Sequence, residues 1–239
     1  MGGANYRKLK TEAEILEIAN RHVDAWKHPE LPKRQYDINI RELLLLDLDQ
    51  WHTVPPYRAF ADALKSLAYG KDEKEISLLE VGSSSGYYGK LLKKLSYEWQ
   101  YTGCDYSPHF KEIAAKHFPG INIEVGDAKA LPYKSEQFDI VVSGCCMIHM
   151  YDWKQAMAET RRVARNYAVF HRTPLLETSP TIYWEKLAYD VPCLEIWFNR
   201  ESFYRELEKN GFDMIAEVPV FRTADEGGFG HYTIVCKKN

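Results

Sequence analysis

Three short stretches of the chain bring acids and small residues together in ways suited to holding a ligand. The first is Leu78-Leu79-Glu80-Val81-Gly82-Ser83-Ser84-Ser85-Gly86, where an apolar run gives way to a loop and then to a helical pattern. Small residues let a backbone pass close to a bound group, and Gly82 and Gly86 accept dihedrals closed to other residues. Taken by itself, such a loop also reads as a tight strand-to-helix turn. The second stretch, Gly103-Cys104-Asp105-Tyr106, follows another apolar run and offers a carboxylate able to accept both hydroxyls of a ribose. A helix-capping or turn aspartate is the plain alternative. The third, Val125-Gly126-Asp127-Ala128, ends a further apolar run with an acid that could accept from the exocyclic amine of an adenine. One such acid is a turn residue; three successive strands delivering an acid or a glycine loop to one sheet edge suit a ligand, because open α/β sheets bind ligands at that edge.

The elements that must position these residues are legible as alternating periods. Strands are expected over Ile76 to Val81, Trp99 to Cys104, Ile121 to Val125, Phe138 to Ser143 and Tyr167 to His171, with helices over Tyr87 to Leu95, Pro108 to His117 and Trp153 to Ala164. Ser107 and Pro108 read as cap and first turn of the second of these helices. Ahead of them, Thr11 and Glu14 are spaced as a capping box for a helix to Lys27 with Ile15, Ile18, Ala19, Val23 and Trp26 on one face. An amphipathic connection over Asp37 to Gln50 leads to a further helix from Tyr57 to Tyr69, with Gly70 as a left-handed terminus. Residues Arg172 to Phe198 keep neither period and read as an insertion over the sheet's carboxyl edge. Asn199 caps a helix ending at Gly211, and Phe212 to Val220 with His231 to Lys237 form two closing strands about a Gly227-Gly228 turn. The fold class is therefore α/β: a doubly wound, mostly parallel seven-stranded sheet with amino-terminal helices and an insertion after the fifth strand. Residues 1–56 are expected as a helical cap and 57–239 as the main domain, with 172–198 as its lid.

The ordered set Glu80-x-Gly82-x-Ser84-x-Gly86, Asp105, Gly126-Asp127-Ala128 with Leu131-Pro132, and Phe138-Asp139 resembles the class I S-adenosylmethionine-dependent methyltransferases of the small-molecule type 11 group, over Ile76 to Thr173. The resemblance implies a Rossmann-like fold, S-adenosyl-L-methionine as cofactor and methyl transfer as the activity. It implies that Glu80, Gly82, Ser84 and Gly86 hold the methionine end, Asp105 the ribose, Asp127 and Ala128 the adenine, with Tyr106 packed on the adenine face. The run from Ser143 to Trp153 would line the cofactor and open toward the acceptor. Ser84 departs from the family pattern, which has glycine at the loop's centre.

His149, just after the fourth strand, is the candidate general base, with a structural hydrogen-bonding role as its alternative. His171 and Arg172 end the fifth strand on the productive edge, where Arg172 could pair with an acceptor carboxylate or phosphate or with a local acid. Trp51, His52 and Trp184 stand in aromatic segments that suit an organic acceptor, though aromatic residues also simply pack. Cys145 and Cys146 read as small packing residues. No Asp/Asn-Pro-Pro-aromatic tetrad occurs, which disfavours amino methylation of a DNA base, and Gly82-x-Ser84-x-x-Tyr87 is a poor match to the G-x-G-x-x-G of a dinucleotide fold. A regulatory protein that binds the cofactor without turnover, and an NAD(P)-dependent oxidoreductase, are the two rival readings.

Composition narrows the partners. With 31 basic and 34 acidic residues the net charge is -3, and the bases are scattered, so no nucleic-acid partner is expected. Five cysteines without a C-x-x-C pair indicate neither a disulfide framework nor a zinc site, and no other metal cluster is evident. Met1 to Lys10 lacks a signal-peptide run and no apolar stretch is long enough to span a bilayer. A cytoplasmic enzyme acting on a small-molecule acceptor is the expectation.

Overall fold

The computed structural model describes residues 6–38, 48–222 and 228–239. The described chain starts with strand β1 (Tyr6–Lys8), helix α1 (Glu12–Ala25), helix α2 (Glu30–Gln35) and, after a 3-10 turn over Trp51–Thr53, helix α3 (Pro55–Leu64). Alternating units follow: β2 (Ser77–Val81), α4 (Tyr87–Lys94), β3 (Gln100–Asp105), α5 (Pro108–His117), β4 (Asn122–Val125), β5 (Phe138–Gly144), a 3-10 turn over Met147–His149, α6 (Trp153–Val163) and β6 (Ala164–Leu176). The last elements are β7 (Ile182–Ala188), β8 (Val191–Asn199), α7 (Arg200–Lys209), β9 (Phe212–Arg222) and β10 (Phe229–Lys238).

Strands β2 to β6 pair in parallel in the order β4-β3-β2-β5-β6, and β10 adds antiparallel to β6 with β9 outside it. This is the doubly wound seven-stranded sheet that the sequence pattern implies. Because strand side chains alternate in direction, adjacent residues serve opposite cores. Leu79 and Val141 pack with Trp153 and Met157 of α6 and Phe203 of α7, whereas Leu78, Ile140 and Val142 pack with Phe60 of α3 and Leu91 of α4. Both faces are covered, so β2 and β5 are apolar almost throughout.

The segment expected as an unpatterned insertion is a regular hairpin. β7 and β8 pair antiparallel, β1 adds to the free edge of β7, and Leu175 and Leu176 at the end of β6 pair with Phe198 and Asn199 of β8. Nearly every residue of β7 is partly buried, which leaves no in-out alternation to reveal a strand. The amino-terminal stretch therefore shares a layer with this hairpin through β1.

Other local expectations shift. The capping box at Thr11 and Glu14 forms, but Val23 is exposed while His22 is buried, its Nε2 accepting from Trp26 Nε1 at 2.8 Å. Helix α3 begins at Pro55, because the first turn needs no amide hydrogens and tolerates prolines, and ends at Leu64. Gly70 does not take positive φ; its N–H is held by the Glu73 carboxylate instead. Ser107 precedes α5 without capping it through its hydroxyl. Asn199 caps α7 through Ser202 N–H, and Gly211 takes φ +70° at its end. Much of the connection from Asp37 to Gln50, and Gly227 of the expected turn, lie outside the described residues.

Candidate active site

The three sequence stretches meet at the carboxyl ends of β2, β3 and β4. At the first, Gly82 takes φ +72°, and the N–H groups of Gly82 and Ser83 donate to the Cys104 carbonyl at 2.8 and 3.1 Å. A Cβ on Gly82 would lie 2.2 Å from Cys146 Cβ, so only glycine allows this approach. Ser84 follows at φ +52°, and Gly86, at φ +78°, is the residue preceding α4. The Ser84 N–H donates to Asp105 Oδ2 at 2.8 Å and the Ser107 N–H to Oδ1 at 3.0 Å. The Gly126 N–H donates to the Asp105 carbonyl at 2.9 Å, which draws the third stretch alongside. There Asp127 is half-buried with Oδ1 accepting from Lys129 N–H at 2.8 Å, and Ala128 is buried. Tyr106 is exposed at the rim, its hydroxyl beside Lys27.

Charge at this rim is unbalanced. Glu80 is buried, and Tyr101 Oη donates to its Oε2 at 2.5 Å. Burial pushes its carboxyl up to about 8, partly offset by Tyr101 and reinforced by the neighbouring Asp105. Burial likewise lifts Asp105 to about 6, against the pull of its backbone donors. The hydroxyls of Ser85 and Ser107, in the loop and beside Asp105, are sealed from solvent without partners. Two crowded acids, spare lone pairs on Asp105 and idle hydroxyls fit S-adenosylmethionine, which brings an ammonium, a sulfonium and ribose hydroxyls.

Beyond β5 the candidates separate. Ser143 is buried, with its Oγ 3.4 Å from Cys146 Sγ. Cys146 donates to the Val81 carbonyl and burial raises its thiol to about 12, so it stays protonated. His149 donates from Nδ1 to the Leu194 carbonyl at 2.6 Å, because a carbonyl can only accept; Nε2 therefore carries the lone pair. Burial lowers its basicity, and its ring meets His22 edge-on at 5.1 Å. His171 is not brought to the rim: it is buried between Tyr88 Oη at 2.6 Å and Thr233 Oγ1 at 2.8 Å, against Phe60. Trp51 is half-buried on the α3 side and His52 is exposed; no hydrogen bond or ring contact among the described residues joins either to the glycine loop. Trp184 lies in the lid hairpin, packed on Tyr6 and Trp197. Arg172 projects among Tyr87, Tyr88, Tyr189 and Cys145.

The β7–β8 hairpin is tied to the loop by residues that carry no motif. Ser84 Oγ donates to Gln35 Oε1 of α2 at 2.8 Å, and Gln35 also bonds Tyr189 at the β7–β8 turn. Arg34 reaches the same turn, pairing with Asp190 at 2.7 Å and with the Tyr189 carbonyl at 2.9 Å. Tyr151 Oη donates to Glu12 of α1 at 2.6 Å. Ser84, Cys145, Arg172, Tyr189 and Asp190 are all left-handed without being glycine, and such strain persists where surrounding contacts enforce it. Tyr101, Gln35 and Tyr189 were missed from sequence: a strand tyrosine and a helix glutamine are ordinary in those settings. A separate groove of about 620 Å³ runs between α2 and α5, lined by Lys33, Tyr36, Glu112 and His117, and none of the candidate residues borders it.

A glycine-serine loop and successive acids at the carboxyl edge of a Rossmann-like sheet, with a charge pattern fitting the sulfonium cofactor, define the class. The family model for a methyltransferase domain matches residues 79–170. The chain is a class I S-adenosylmethionine-dependent methyltransferase. It is 24% identical over 202 residues to a demethylmenaquinone methyltransferase of Chlorobaculum parvum, covering 81% of this chain and 79% of that one. A counterpart from Chlorobaculum tepidum is 25% identical over 191 residues, covering 78% and 75%. Among solved structures, the Burkholderia thailandensis 1,6-didemethyltoxoflavin-N1-methyltransferase, which holds 1,6-didemethyltoxoflavin and S-adenosylhomocysteine, has the same fold with a TM-score of 0.63 at 12% identity, over 100% of this chain and 97% of that one. Among the described residues no group of His, Cys, Asp or Glu converges as metal ligands do, and no helix is long and apolar enough to cross a membrane.

Proposed function

We propose that the chain methylates an oxygen, nitrogen or carbon of a small organic acceptor held between the sheet's carboxyl edge and the lid formed by α1, α2 and the β7–β8 hairpin. The observation that carries this reading is the contact of Ser84 N–H with Asp105 beside the buried, cation-deficient Glu80. In this reading Glu80, Gly82, Ser84 and Gly86 hold the methionine end of the cofactor and Asp105 takes the ribose hydroxyls. Asp127 and Ala128 border the adenine, Tyr106 covers its face, and Ser143 lines the path to the acceptor. The cofactor supplies a methyl group on a sulfonium, already an excellent leaving group, so the residues mainly align the acceptor for in-line attack and exclude water. The lid contacts through Gln35 and Arg34 suit that task.

His149 is the proposed proton acceptor, since its Nδ1 is occupied by Leu194 and its depressed basicity keeps Nε2 unprotonated at neutral pH. His149→Gln should lower turnover about 10²- to 10⁴-fold with cofactor affinity kept, as measured by single-turnover methyl transfer; unchanged turnover removes it from the chemistry. A small acceptor is further supported by the scattered charge of the chain and by the demethylmenaquinone and 1,6-didemethyltoxoflavin of the named relatives. All five cysteines are free thiols, which suits a reducing cytoplasm. Calorimetry with S-adenosylmethionine and S-adenosylhomocysteine, followed by a radiolabelled methyl-transfer screen over cell extract, tests the reading. No binding of either compound rejects it, and binding without any labelled product favours a regulatory role.

A further inference from the structure

Arg172 is oriented by an irregularity in the sheet. Across the β6–β10 pair, Tyr232 faces Thr173 and Ile234 faces Phe170, so His171 and Arg172 together stand opposite the single residue Thr233. Two residues against one is a β-bulge, a device that re-aims a side chain. His171 uses it to reach Thr233 and Tyr88 in the core, and Arg172 takes the left-handed backbone of the bulge at φ +59°. Around its guanidinium stand Cys145, Tyr87, Tyr88 and Tyr189, and no carboxylate lies within ion-pair distance among the described residues. Its Nε is sealed from solvent and donates to nothing. A half-buried cation whose sealed Nε has no acceptor is unfavourable, and that Nε belongs to the edge of the guanidinium that grips planar oxyanions with two parallel bonds.

The surroundings of Arg172 describe the rest of the ligand. His231, within electrostatic reach of Arg172, stacks on Phe221 at 4.2 Å and meets Phe229 at 5.3 Å. Phe229 stacks on Trp197 at 4.1 Å, and Trp197 packs on Trp184 at 5.1 Å. Along this aromatic wall two more polar atoms are sealed without partners, Trp184 Nε1 and His231 Nδ1. Indole N–H is a donor only, so with Arg172 the wall carries two unanswered donors. The two acids of the wall's neighbourhood do not serve them: Glu195 is taken up by Lys186, Tyr6 and Trp197, and Glu177 by Arg200.

We infer that the methyl acceptor is an aromatic or conjugated organic acid whose carboxylate is held by Arg172, with its ring against the Trp184, Trp197 and Phe229 wall. This rests on the methyl-transfer reading above and adds the substrate's charge to it. The test uses full-length protein saturated with S-adenosylhomocysteine and titrates 1-naphthoate against its neutral isostere 1-naphthamide by calorimetry. The carboxylate should bind at least tenfold tighter than the amide. Arg172→Gln should remove that preference, and Trp184→Phe, which keeps the ring and loses the N–H, should reduce it several-fold. Retained S-adenosylhomocysteine affinity in each variant shows that it is folded. Equal binding of the two probes, binding of neither, or a preference that survives Arg172→Gln would overturn the inference while leaving methyl transfer intact. Failure of the native protein to bind S-adenosylhomocysteine would instead count against the function itself.

Discussion

Glu80 is a carboxyl group held where water cannot stabilise its charge, and this sets how the protein responds to pH. With a folded value of about 8, above the ordinary carboxylate range, it stays protonated in the native state at pH values where the unfolded chain has released that proton. Stability should therefore fall as pH rises toward 8, by at most about 1.4 kcal/mol per pH unit. The buried histidines His22 and His231, each lowered to about 3, act in the opposite sense, since their stabilising neutral form is lost as pH falls below about 6.5. The two effects separate above pH 6.5. Urea unfolding of ligand-free protein at about pH 6.5 and 8 should show the decline, and Glu80→Gln should flatten it. Binding a cationic cofactor reverses the preference by favouring ionised Glu80, so S-adenosylmethionine affinity should rise over the same interval. Calorimetry in buffers of different ionisation enthalpy should detect the released proton. Asp105→Ala should weaken cofactor binding by roughly 1 to 3 kcal/mol through lost charge-assisted hydrogen bonds, and unchanged affinity would contradict its ribose assignment.

At the scale of elements, legibility followed burial. β2 and β5 are covered on both faces, so their apolar runs are continuous and their boundaries in sequence match the structure closely. β7 is only partly buried throughout and lies in a thin three-stranded layer, so no period marks it. The shared carboxyl edge of Glu80, Asp105 and Asp127 was legible because each ends or follows an apolar run that reads as a strand. Their lid contacts were not, because Gln35 and Tyr189 gain meaning only when α2 and the β7–β8 turn come together. Ser84, the departure from glycine at the loop's centre, supplies the hydroxyl that engages α2. Gln35→Ala should leave the sheet intact, cost about 1 kcal/mol, and raise hydrogen exchange at the β7–β8 turn. Exchange at β2 and β5 should be unaffected.

For the molecule as a whole, the parallel strands bring the glycine-serine loop and the acids to one edge, and the layer of β1, β7 and β8 continues the sheet from the end of β6. The two layers are joined by pairing of Leu175 and Leu176 at the end of β6, just beyond the bulge at His171 and Arg172. One strand, β6, thus pairs with both the parallel strands and the β7–β8 hairpin. His171 and Arg172 read alike in sequence, as polar residues at the same strand end; the bulge divides them, sending one into the core and leaving the other available. A register irregularity of this kind is set by pairing between β6 and β10, more than fifty residues apart, and no local pattern could have announced it.

Gln35 touches both the serine of the glycine loop and the tyrosine of the β7–β8 turn, so a single side chain couples the two. With the nucleoside held at this loop as proposed, its arrival and departure would disturb the Ser84–Gln35 contact and, through Gln35, the turn at Tyr189. Exchange of the nucleoside and loosening of the hairpin should therefore go together, so protection of the β7–β8 turn from hydrogen exchange should rise when S-adenosylhomocysteine is bound.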